Sequence, residues 1–350
     1  TATTEIYTLS LHDALPILGV SGLRPRRKEK EDAPMAHTAY LLACAGMNFY
    51  AGYTPDITRR VFLHETGRGA RYTRAHRPVR LVYTEEYATK SEAMRREAAL
   101  KRLTHAQKAA LAAPALAAWE YLAQRPACVD MLEALRWGKA GVLAAEKGGV
   151  LLRVQGGDLL LAAGTQASAA RLLHRAGPLA QGAMLGVHGR VAAQTAAQAM
   201  GLPLPPACTQ AVYWEAQPPS RPVKGVRFAP LGPKWAETVC AHYTLIPPTG
   251  VAACLAAGTV TGAFLPGPQG RRLAGFIGQH SEGSMGMLVV LPQFRRMGLG
   301  AALEAHAIAR LLRQGRVPFC HIFAGNRASL ALQKKLGLSL RRDMYWLGGE

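Results

Sequence analysis

The chain has 350 residues, which is enough for two or three domains that each bury a core without disulfide bonds. Forty-two Lys and Arg against 22 Asp and Glu give a net charge of +20, which favours phosphate-rich or acidic partners. The six cysteines form no CxxC pair, which predicts reduced core thiols in a cytoplasmic protein and excludes a zinc site. No apolar run is long enough to span a membrane, so no membrane partner is expected.

The first 34 residues differ from the rest of the chain. They lack the basic start and the small-residue cleavage site of a signal peptide, and a charged tract runs from Arg24 to Asp32. The segment is similar to translated sequencing-adapter read-through ahead of Met35. We therefore expect residues 1–34 to be a disordered, non-native leader.

Residues 37–113 are predicted to form the first folded domain. A strand that contains Tyr40 and a hairpin partner that contains Tyr50 are joined by a glycine turn. Asp56 then stands at the capping position of a helix over residues 57–65. This order predicts a small sheet with a helix packed on it.

Three polar side chains of this domain are predicted to lie on helices. Arg60 and His64 are one turn apart and share a face, and Glu97 lies on a second helix over residues 91–103. Glu97 is also four residues before Lys101, which is the spacing of a common surface ion pair. Taken singly, each of these residues fits a structural role better than a catalytic one.

Taken together, these segments resemble the GIY-YIG nuclease family, in particular its small standalone bacterial branch, over residues 38–111. The resemblance implies a three-stranded sheet with helices and hydrolysis of DNA phosphodiester bonds with one Mg²⁺ or Mn²⁺ ion. It implies that Tyr40, Tyr50 and His64 position or deprotonate water, that Arg60 neutralises charge, and that Glu97 holds the metal. Residues 37–111 contain 13 Lys and Arg and 6 Asp and Glu, a net charge of +7 that suits nucleic acid.

The middle of the chain has no motif. A linker or helix at 114–126 is followed by an αβ segment at 127–216, and a proline-rich linker at 217–222 ends it. His174 and His188 in this segment are interpreted as ordinary residues. The predicted elements are strands at 141–145, 149–154 and 158–163 and helices at 166–176 and 190–200.

Residues 223–350 are predicted to form the last domain. An apolar strand at 285–291 leads into a glycine-containing turn and a helix, a pattern typical of phosphate binding by unpaired backbone N–H groups. A further strand at 319–323 and a helix capped by Asn326 follow.

This order resembles the C-terminal core of the GNAT acyltransferases, especially the branch that contains the glycine N-acyltransferases. The resemblance implies a mixed-sheet fold, a site for acetyl-CoA or another acyl-CoA, and transfer of the acyl group to an amine. It also makes the segment at 127–216 compatible with a degenerate acyltransferase-like half, although an independent αβ spacer fits equally well. The residues implied in acyl-CoA binding are Leu288, Val289, Val290, Arg295, Arg296, Met297, Gly298, Leu299, Gly300, Ala301, Asn326 and Ser329.

The catalytic groups of this second site are less clear from the sequence. Glu282 is the favoured general base, with His280 beside it, whereas the related branch places its base where this chain has Ser284. The position of the usual tyrosine acid is Gln333 here, so Tyr345 in the final strand is the substitute. Glu282 and His280 also fit a solvated loop.

The fold class predicted overall is α/β (α+β), and the leading hypothesis is a bifunctional nuclease and N-acyltransferase. In the alternative, the first domain only binds nucleic acid and brings the transferase to an amine on a protein or an RNA. A third interpretation is a transferase with an inert first domain, which predicts no salt-dependent nucleic-acid affinity.

Overall fold

The computed structural model describes residues 36–268 and 270–348, and the predicted leader at 1–34 lies outside these residues. Across the described residues, fourteen strands form three sheets of three, four and seven strands. The predicted mixed α/β class is confirmed. In this part of the chain, no helix combines the length and the apolar character needed to cross a membrane.

The elements are numbered in chain order. The strands are β1 His37–Cys44, β2 Asn48–Thr54, β3 Val79–Tyr87, β4 Ala140–Glu146, β5 Gly149–Val154, β6 Leu159–Ala163, β7 Met184–His188, β8 Cys208–Val212, β9 Arg227–Pro230, β10 Thr261–Gly267, β11 Gly270–Gln279, β12 Met285–Val290, β13 Phe319–Ile322 and β14 Ser339–Gly348. The helices are α1 Ile57–Glu65, α2 Arg71–Ala75, α3 Lys90–Arg102, α4 His105–Ala123, α5 Val129–Arg136, α6 Gln166–Ala176, α7 Arg190–Met200, α8 Ala236–His242, α9 Pro248–Ala256, α10 Leu299–Arg313 and α11 Arg327–Leu336.

The first domain is built on the predicted tyrosine hairpin. β1 lies between β2 and β3 in an antiparallel sheet, and α1 covers the predicted residues 57–65. Asp56 caps α1 by accepting a hydrogen bond from the N–H of Arg59 at 2.9 Å. The helix predicted over residues 91–103 is α3, which begins and ends one residue earlier.

The first domain runs without a break into the middle segment. Pro114, where the sequence predicts that this domain ends, lies inside α4. A proline inside a helix removes one backbone hydrogen bond. Packing maintains the helix, because α4 contacts β3 and β4 and the indole N–H of Trp119 donates to the carbonyl of Leu81 at 3.0 Å.

The seven-stranded sheet joins the middle segment to the C-terminal residues. Its order is β13-β8-β14-β7-β6-β5-β4, with β6 and β7 parallel and the other neighbours antiparallel. β8, from the middle segment, lies between β13 and β14, which both come from the end of the chain. The predicted linker at 217–222 therefore falls between strands of different sheets, and hydrogen-bonded strands connect its two sides.

The four-stranded sheet, in the order β12-β11-β10-β9, is antiparallel. β12 is its edge strand, and it contacts β13, an edge strand of the large sheet, without hydrogen-bonded pairing among the described residues. α10 packs on β11 and β12 through an apolar cluster that includes Leu303 and Ile308. The two sheets therefore splay apart beside the helix that follows the glycine turn.

A buried bridge connects the first domain to the large sheet. Trp137 is fully buried in one cluster with Ile57 and Leu81 of the first domain. Its indole N–H donates to the Glu133 carboxylate at 2.9 Å, and the backbone N–H of Val317, just before β13, donates to the same oxygen at 2.9 Å. The domains are thus held by shared core packing as well as by the chain connection.

Two candidate catalytic sites

The first site lies where β1 meets α1. The Tyr40 hydroxyl is 3.0 Å from Nε2 of His64, and Nε of Arg60 donates to the same hydroxyl at 2.9 Å. On the other side of the imidazole, Nδ1 of His64 is 2.7 Å from the Thr73 hydroxyl. The structure thus brings together three of the side chains that the sequence predicts, and adds Thr73, which the sequence analysis missed.

The direction of these hydrogen bonds follows from Thr73, the last side chain in the series. The Thr73 hydroxyl donates to the carbonyl of Ala70 at 3.0 Å, so its oxygen accepts from Nδ1–H of His64. Nε2 of His64 is then the acceptor for the Tyr40 hydroxyl. The bonds run in one direction, from Arg60 through Tyr40, His64 and Thr73 to a backbone carbonyl.

Burial sets the protonation states of the side chains in this series of hydrogen bonds. Tyr40 and His64 are both fully buried. Burial, with a smaller contribution from the Arg60 charge, lowers the pKa of His64 to about 4. Burial raises the pKa of Tyr40 to about 12, although Arg60 opposes the change. At neutral pH both rings are therefore uncharged, which agrees with the hydrogen-bond directions.

The Tyr40 ring requires glycine on the neighbouring strand. Tyr40 and Gly52 are directly opposed in the β1–β2 pair, and a Cβ atom at position 52 would overlap the Tyr40 hydroxyl. The neighbouring Ala51 points away from Tyr40 and is buried in the apolar core on the other face of β2. Strand β2 therefore carries a glycine at the one position where the site geometry needs it.

Tyr50 and Glu97 complete the predicted set. The Tyr50 ring centroid lies 5.2 Å from that of His64 and 6.4 Å from that of Tyr40. The charge of Glu97 contributes to the raised pKa of Tyr40, so this carboxylate is close to the site. Its Oε1 is paired with Nζ of Lys101 at 2.9 Å. Both the predicted ion pair and the proximity to the site are therefore present.

Glu97 can be tested for fit to a metal ion. Among the described residues, no group of three or more His, Cys, Asp or Glu could enclose a metal. Mg²⁺ often retains several waters and needs only one or two carboxylates. The side chain of Glu97 is 20% exposed and that of Lys101 is 59% exposed, so the lysine can move into solvent and free the carboxylate. A single-carboxylate Mg²⁺ site fits these residues.

The second site begins at the N-terminus of α10. Gly298 caps this helix with φ +79°, a left-handed conformation that favours glycine. Among the described residues, no backbone carbonyl accepts a hydrogen bond from the N–H groups of residues 296–301. A Cβ atom at Gly300 would meet only ordinary contacts, so this side of the turn is open. The turn fits a diphosphate group, because unpaired N–H groups at a helix N-terminus bind anions.

The other residues predicted to bind acyl-CoA surround this turn. Leu288, Val289 and Val290 lie on the edge strand β12, next to the splay between the sheets. Arg295 folds back so that its Nε donates to the carbonyl of Val290 at 3.3 Å. On α11, Asn326 caps the helix by accepting from the N–H of Ser329 at 3.0 Å. The side chains that are exposed near the turn are those of Arg295, Arg296 and Met297.

Glu282, the predicted base, is 4% exposed and belongs to a second directed chain of hydrogen bonds. The Ser284 hydroxyl donates to Oε1 of Glu282. Nδ1 of His280 is 3.4 Å from Oγ of Ser284, and Nε2 of His280 is 3.1 Å from the hydroxyl of Tyr243. The two residues at the predicted base positions, Glu282 and Ser284, are therefore hydrogen-bonded to each other. Tyr243 was missed by the sequence analysis.

Behind Glu282 lies a cluster that the sequence analysis also missed. Nδ1 of His321 on β13 is 3.9 Å from Oε1 of Glu282, and Nε2 of His321 is 3.5 Å from Oδ2 of Asp130 on α5. Asp130 also accepts from Nε2 of His188 at 2.8 Å. His188 therefore belongs to a buried polar cluster that links the middle segment to the candidate base.

The Asp130 carboxylate is ionised in this cluster. Burial alone acts to raise its pKa, but the charges and hydrogen bonds of His188 and His321 outweigh burial and hold the pKa well below its ordinary value. An ionised carboxylate can only accept hydrogen bonds, so Nε2 of His188 carries a proton and donates it to Asp130.

The structure does not bring Tyr345 to Glu282. Tyr345 lies in the apolar cluster under α6 and α7, whereas its strand neighbour Trp346 faces the other side of the sheet and contacts His321. Gln333, at the position of the usual acid, instead donates from Nε2 to Oε1 of Glu304 at 2.6 Å. Burial raises the pKa of Glu304 to about 7, although Gln333 opposes the change.

Comparison with known proteins identifies the family of the first domain. A model of the GIY-YIG catalytic domain matches residues 36–110. A UPF0213 protein of Halobacterium salinarum is 51% identical over 75 residues, which are 21% of this chain and 97% of that protein. The chain belongs to the GIY-YIG family through this first domain. A UPF0213 protein of Natronomonas pharaonis is 48% identical over 77 residues, 22% of this chain and 91% of that protein.

A C-terminal segment of this GIY-YIG protein matches a different family model. A model described as FR47-like protein covers residues 261–347, and the C-terminal part has an FR47-like GNAT acetyltransferase fold. A GCN5-related N-acetyltransferase-like protein from Streptococcus suis, with a solved structure, has a TM-score of 0.42 and 12% identity, covering 63% of this chain and 92% of that chain. The predicted fusion of the two families is confirmed.

The two matched segments divide the site residues of this GIY-YIG protein unequally. Residues 36–110 contain every predicted nuclease residue together with Thr73. Residues 261–347 contain Glu282, His280, Ser284 and His321, but Tyr243 lies before them. Asp130 and His188 also lie outside both matches. The second site is therefore assembled partly from segments that neither family model covers.

Proposed function

We propose that the C-terminal part transfers an acyl group from acyl-CoA, with acetyl-CoA as the expected donor, to an amine. The observation that supports this most strongly is the open set of unpaired N–H groups at the start of α10, beside the free edge of β12. When bound there, acyl-CoA supplies the activated thioester. The residues that would hold it are those around Gly298 and Gly300, with Arg295 and Arg296 facing the phosphates.

The residues of this chain would then assist three events. Backbone N–H groups of β12 near Leu288 to Val290 polarise the carbonyl of the acyl group as the amine nitrogen attacks it. The carboxylate of Glu282 receives the proton that the amine nitrogen loses. The carbon–sulfur bond breaks as the amide forms, and the thiolate takes a proton. Gln333 occupies the position of the usual tyrosine acid, so in the proposal solvent supplies this last proton.

Binding of acetyl-CoA tests this proposal directly. Saturating acetyl-CoA should raise the melting temperature, and Gly298→Glu should remove the increase because its carboxylate would repel the diphosphate. Gly201→Glu is the control, since Gly201, at the C-terminus of α7, also has a positive φ of +67° and open space beside it. The absence of any shift in the unaltered protein would refute the acyl-CoA site.

We also propose that the first domain cleaves DNA with one divalent metal ion held by Glu97. Arg60 would neutralise charge on the phosphate, and Tyr40, Tyr50 and His64 would orient the attacking water. Bound metal supplies charge stabilisation. Glu97→Gln should abolish Mg²⁺-dependent nicking of branched or single-stranded DNA while DNA affinity is retained. Glu86→Gln, at an exposed position on β3, is the control and should cleave normally.

One observation favours the alternative in which this domain binds nucleic acid without cleaving it. The hydrogen bonds from Tyr40 end on the neutral carbonyl of Ala70, so among the described side chains that contact Tyr40 there is no anionic group to take its proton. Binding alone predicts salt-dependent DNA affinity with no nicking in the unaltered protein. If the unaltered protein shows neither nicking nor salt-dependent DNA affinity, the transferase is the active part and the first domain is inert.

A further inference from the structure

The second directed chain of hydrogen bonds lies between two loops of the C-terminal part. Tyr243 follows α8, and His280 and Ser284 stand on either side of the turn between β11 and β12. This turn is fixed by backbone bonds from the N–H of His280 to the carbonyl of Ser284 and from the N–H of Gly283 to the carbonyl of His280, each at 3.0 Å. His280 and Ser284 are therefore held by a closed hairpin turn rather than by a solvated loop, and Tyr243 meets His280 from the segment after α8.

The proton on each group can be assigned from its neighbours. The Ser284 hydroxyl donates to Glu282, so its oxygen accepts from Nδ1–H of His280. With Nδ1 as the protonated nitrogen of an uncharged ring, Nε2 carries a lone pair that accepts the hydroxyl proton of Tyr243. Each bond points the same way, from Tyr243 toward the carboxylate.

The two ends of this series of hydrogen bonds differ in solvent exposure. Glu282 is 4% exposed and Ser284 is 1% exposed, so a bulky amine cannot reach the carboxylate directly. The His280 side chain is 30% exposed, and Tyr243 is partly exposed. The end formed by Tyr243 and His280 is therefore the more accessible one, and it is where an acceptor amine would meet these side chains.

Charged and titratable groups from every neighbouring element face Glu282. They come from the β5–β6 turn, from α9, from the segment before β13 and from β13 itself, and they are Asp158, Cys254, Arg316 and His321. Burial, together with the nearby charge of Glu282, raises the pKa of Tyr243 to about 12, although a backbone hydrogen bond opposes the change. The tyrosine therefore holds its proton at neutral pH and can pass a proton on without being the final acceptor.

We propose that Tyr243, His280 and Ser284 form a proton relay that carries the proton of the acceptor amine to Glu282. This rests on the acyltransferase function proposed above. As the nitrogen–carbon bond forms, the amine proton moves to the Tyr243 oxygen, and the Tyr243 proton moves to Nε2 of His280. The Nδ1 proton moves to Ser284, and the Ser284 proton moves to Oε1 of Glu282. One positive charge leaves the nitrogen and one negative charge is lost at Glu282, so charge balances.

The relay makes a prediction that does not depend on activity. In the resting protein, ¹⁵N NMR of labelled histidine should show His280 as the neutral Nδ1–H tautomer, identified by the loss of its signals in His280→Gln. Ser284→Ala removes the acceptor for Nδ1–H and should shift the ring toward the Nε2–H tautomer. Ser281→Ala, in the same turn, is the control. An Nε2–H or charged His280 in the unaltered protein at neutral pH would overturn the relay.

Activity provides the second test, with acetyl-CoA and small primary amines as probes and release of the CoA thiol as the signal. Tyr243→Phe and Ser284→Ala should each slow acetylation by about 10²-fold or more, while the thermal shift with acetyl-CoA is unchanged. The loss should be smaller with hydroxylamine, whose weakly basic nitrogen gives up its proton readily. Tyr213→Phe removes a tyrosine hydroxyl that bonds the carbonyl of Gln217 outside the relay, and it should acetylate normally.

The outcomes separate the relay from the function on which it rests. If both variants acetylate at the rate of the unaltered protein and still bind acetyl-CoA, the relay is wrong and the transferase assignment stands. If the unaltered protein neither binds acetyl-CoA nor releases thiol, the acyltransferase proposal fails and the relay has no reaction to serve. Equal rate losses for basic and weakly basic amines would show a structural role and also overturn the relay.

Discussion

The two candidate sites use the same sequence of side chains, a tyrosine, a histidine and a hydroxyl residue, but the hydrogen bonds end on different groups. In the first domain they run through Thr73 to the backbone carbonyl of Ala70. In the C-terminal part they run through Ser284 to the carboxylate of Glu282. A carbonyl can hold a proton donor in place, whereas a carboxylate can also accept the proton.

Burial strengthens this difference. Tyr40 and His64 are fully buried, and a charged imidazole there would have no carboxylate partner among its described contacts. The second arrangement has one partly exposed end, at His280 and Tyr243, and one buried end, at Ser284 and Glu282. The comparison teaches that similar residues position a group in one site and can move a proton in the other, and that the terminal acceptor decides which.

The largest effect on the free energy of unfolding is expected at Asp130, the buried carboxylate behind the second arrangement. Asp130→Asn should destabilise the protein by about 3 kcal/mol or more, because it replaces a fully buried carboxylate that accepts a hydrogen bond from His188. Urea unfolding at pH 7 would measure this. Asp343→Asn, on partly exposed β14, is the control and should change stability little. A small effect at Asp130 would mean that the cluster is held by packing alone.

In the first arrangement, no carboxylate among the described residues contacts His64 to stabilise its charged form. The free energy of unfolding should therefore depend on pH. His64 has a pKa of about 4 in the folded protein against 6.5 for an ordinary histidine, so the unfolded chain binds more protons between these values. The free energy of unfolding should therefore fall as pH decreases from 6.5 to 4, by about 3 kcal/mol.

Urea unfolding of the unaltered protein and of His64→Gln over this pH range checks the sign and the size. The variant should lose most of this pH dependence, whereas His242→Gln, at an exposed position, should keep it. Stability that rises as pH falls would contradict the buried, neutral imidazole.

The two tyrosine hydroxyls can be compared directly. Tyr40→Phe leaves Nε2 of the fully buried His64 without its donor and should cost about 1–3 kcal/mol. Tyr243→Phe should cost less than about 1 kcal/mol, because water can reach the partly exposed His280 and replace the lost bond. Unfolding of both variants under identical conditions tests the order, and a larger cost at Tyr243 would reverse it.

The smallest effect on stability is expected for the ion pair of Glu97, the carboxylate near the first site. Lys101→Ala breaks a surface ion pair with Glu97 and should change stability by no more than about 0.5 kcal/mol. Mn²⁺ affinity, measured by calorimetry, should increase because the carboxylate is freed. Lys108→Ala, which removes an equal charge from α4, controls for net charge. Weaker Mn²⁺ binding in Lys101→Ala than in this control would argue against Glu97 as the metal ligand.

Local sequence was enough to predict the elements that depend on neighbours a few residues apart. The α1 helix begins after Asp56 and α11 begins after Asn326, because a side chain at that position satisfies the first free N–H groups. The glycine turn before α10 was also predictable, since only residues close in the chain shape it. Motif spacing singled out Tyr40, Arg60 and His64, and their side chains lie within hydrogen-bonding distance of one another in the structure.

Only the tertiary structure decided the contacts between distant segments. β8 lies between β13 and β14, and Gln210 meets His321 from 111 positions away. Such pairings have no local signature, since the energy that selects them comes from burial and hydrogen bonding in the assembled sheet. For the same reason His188 appeared ordinary in the sequence, and its role became visible only when Asp130 was beside it.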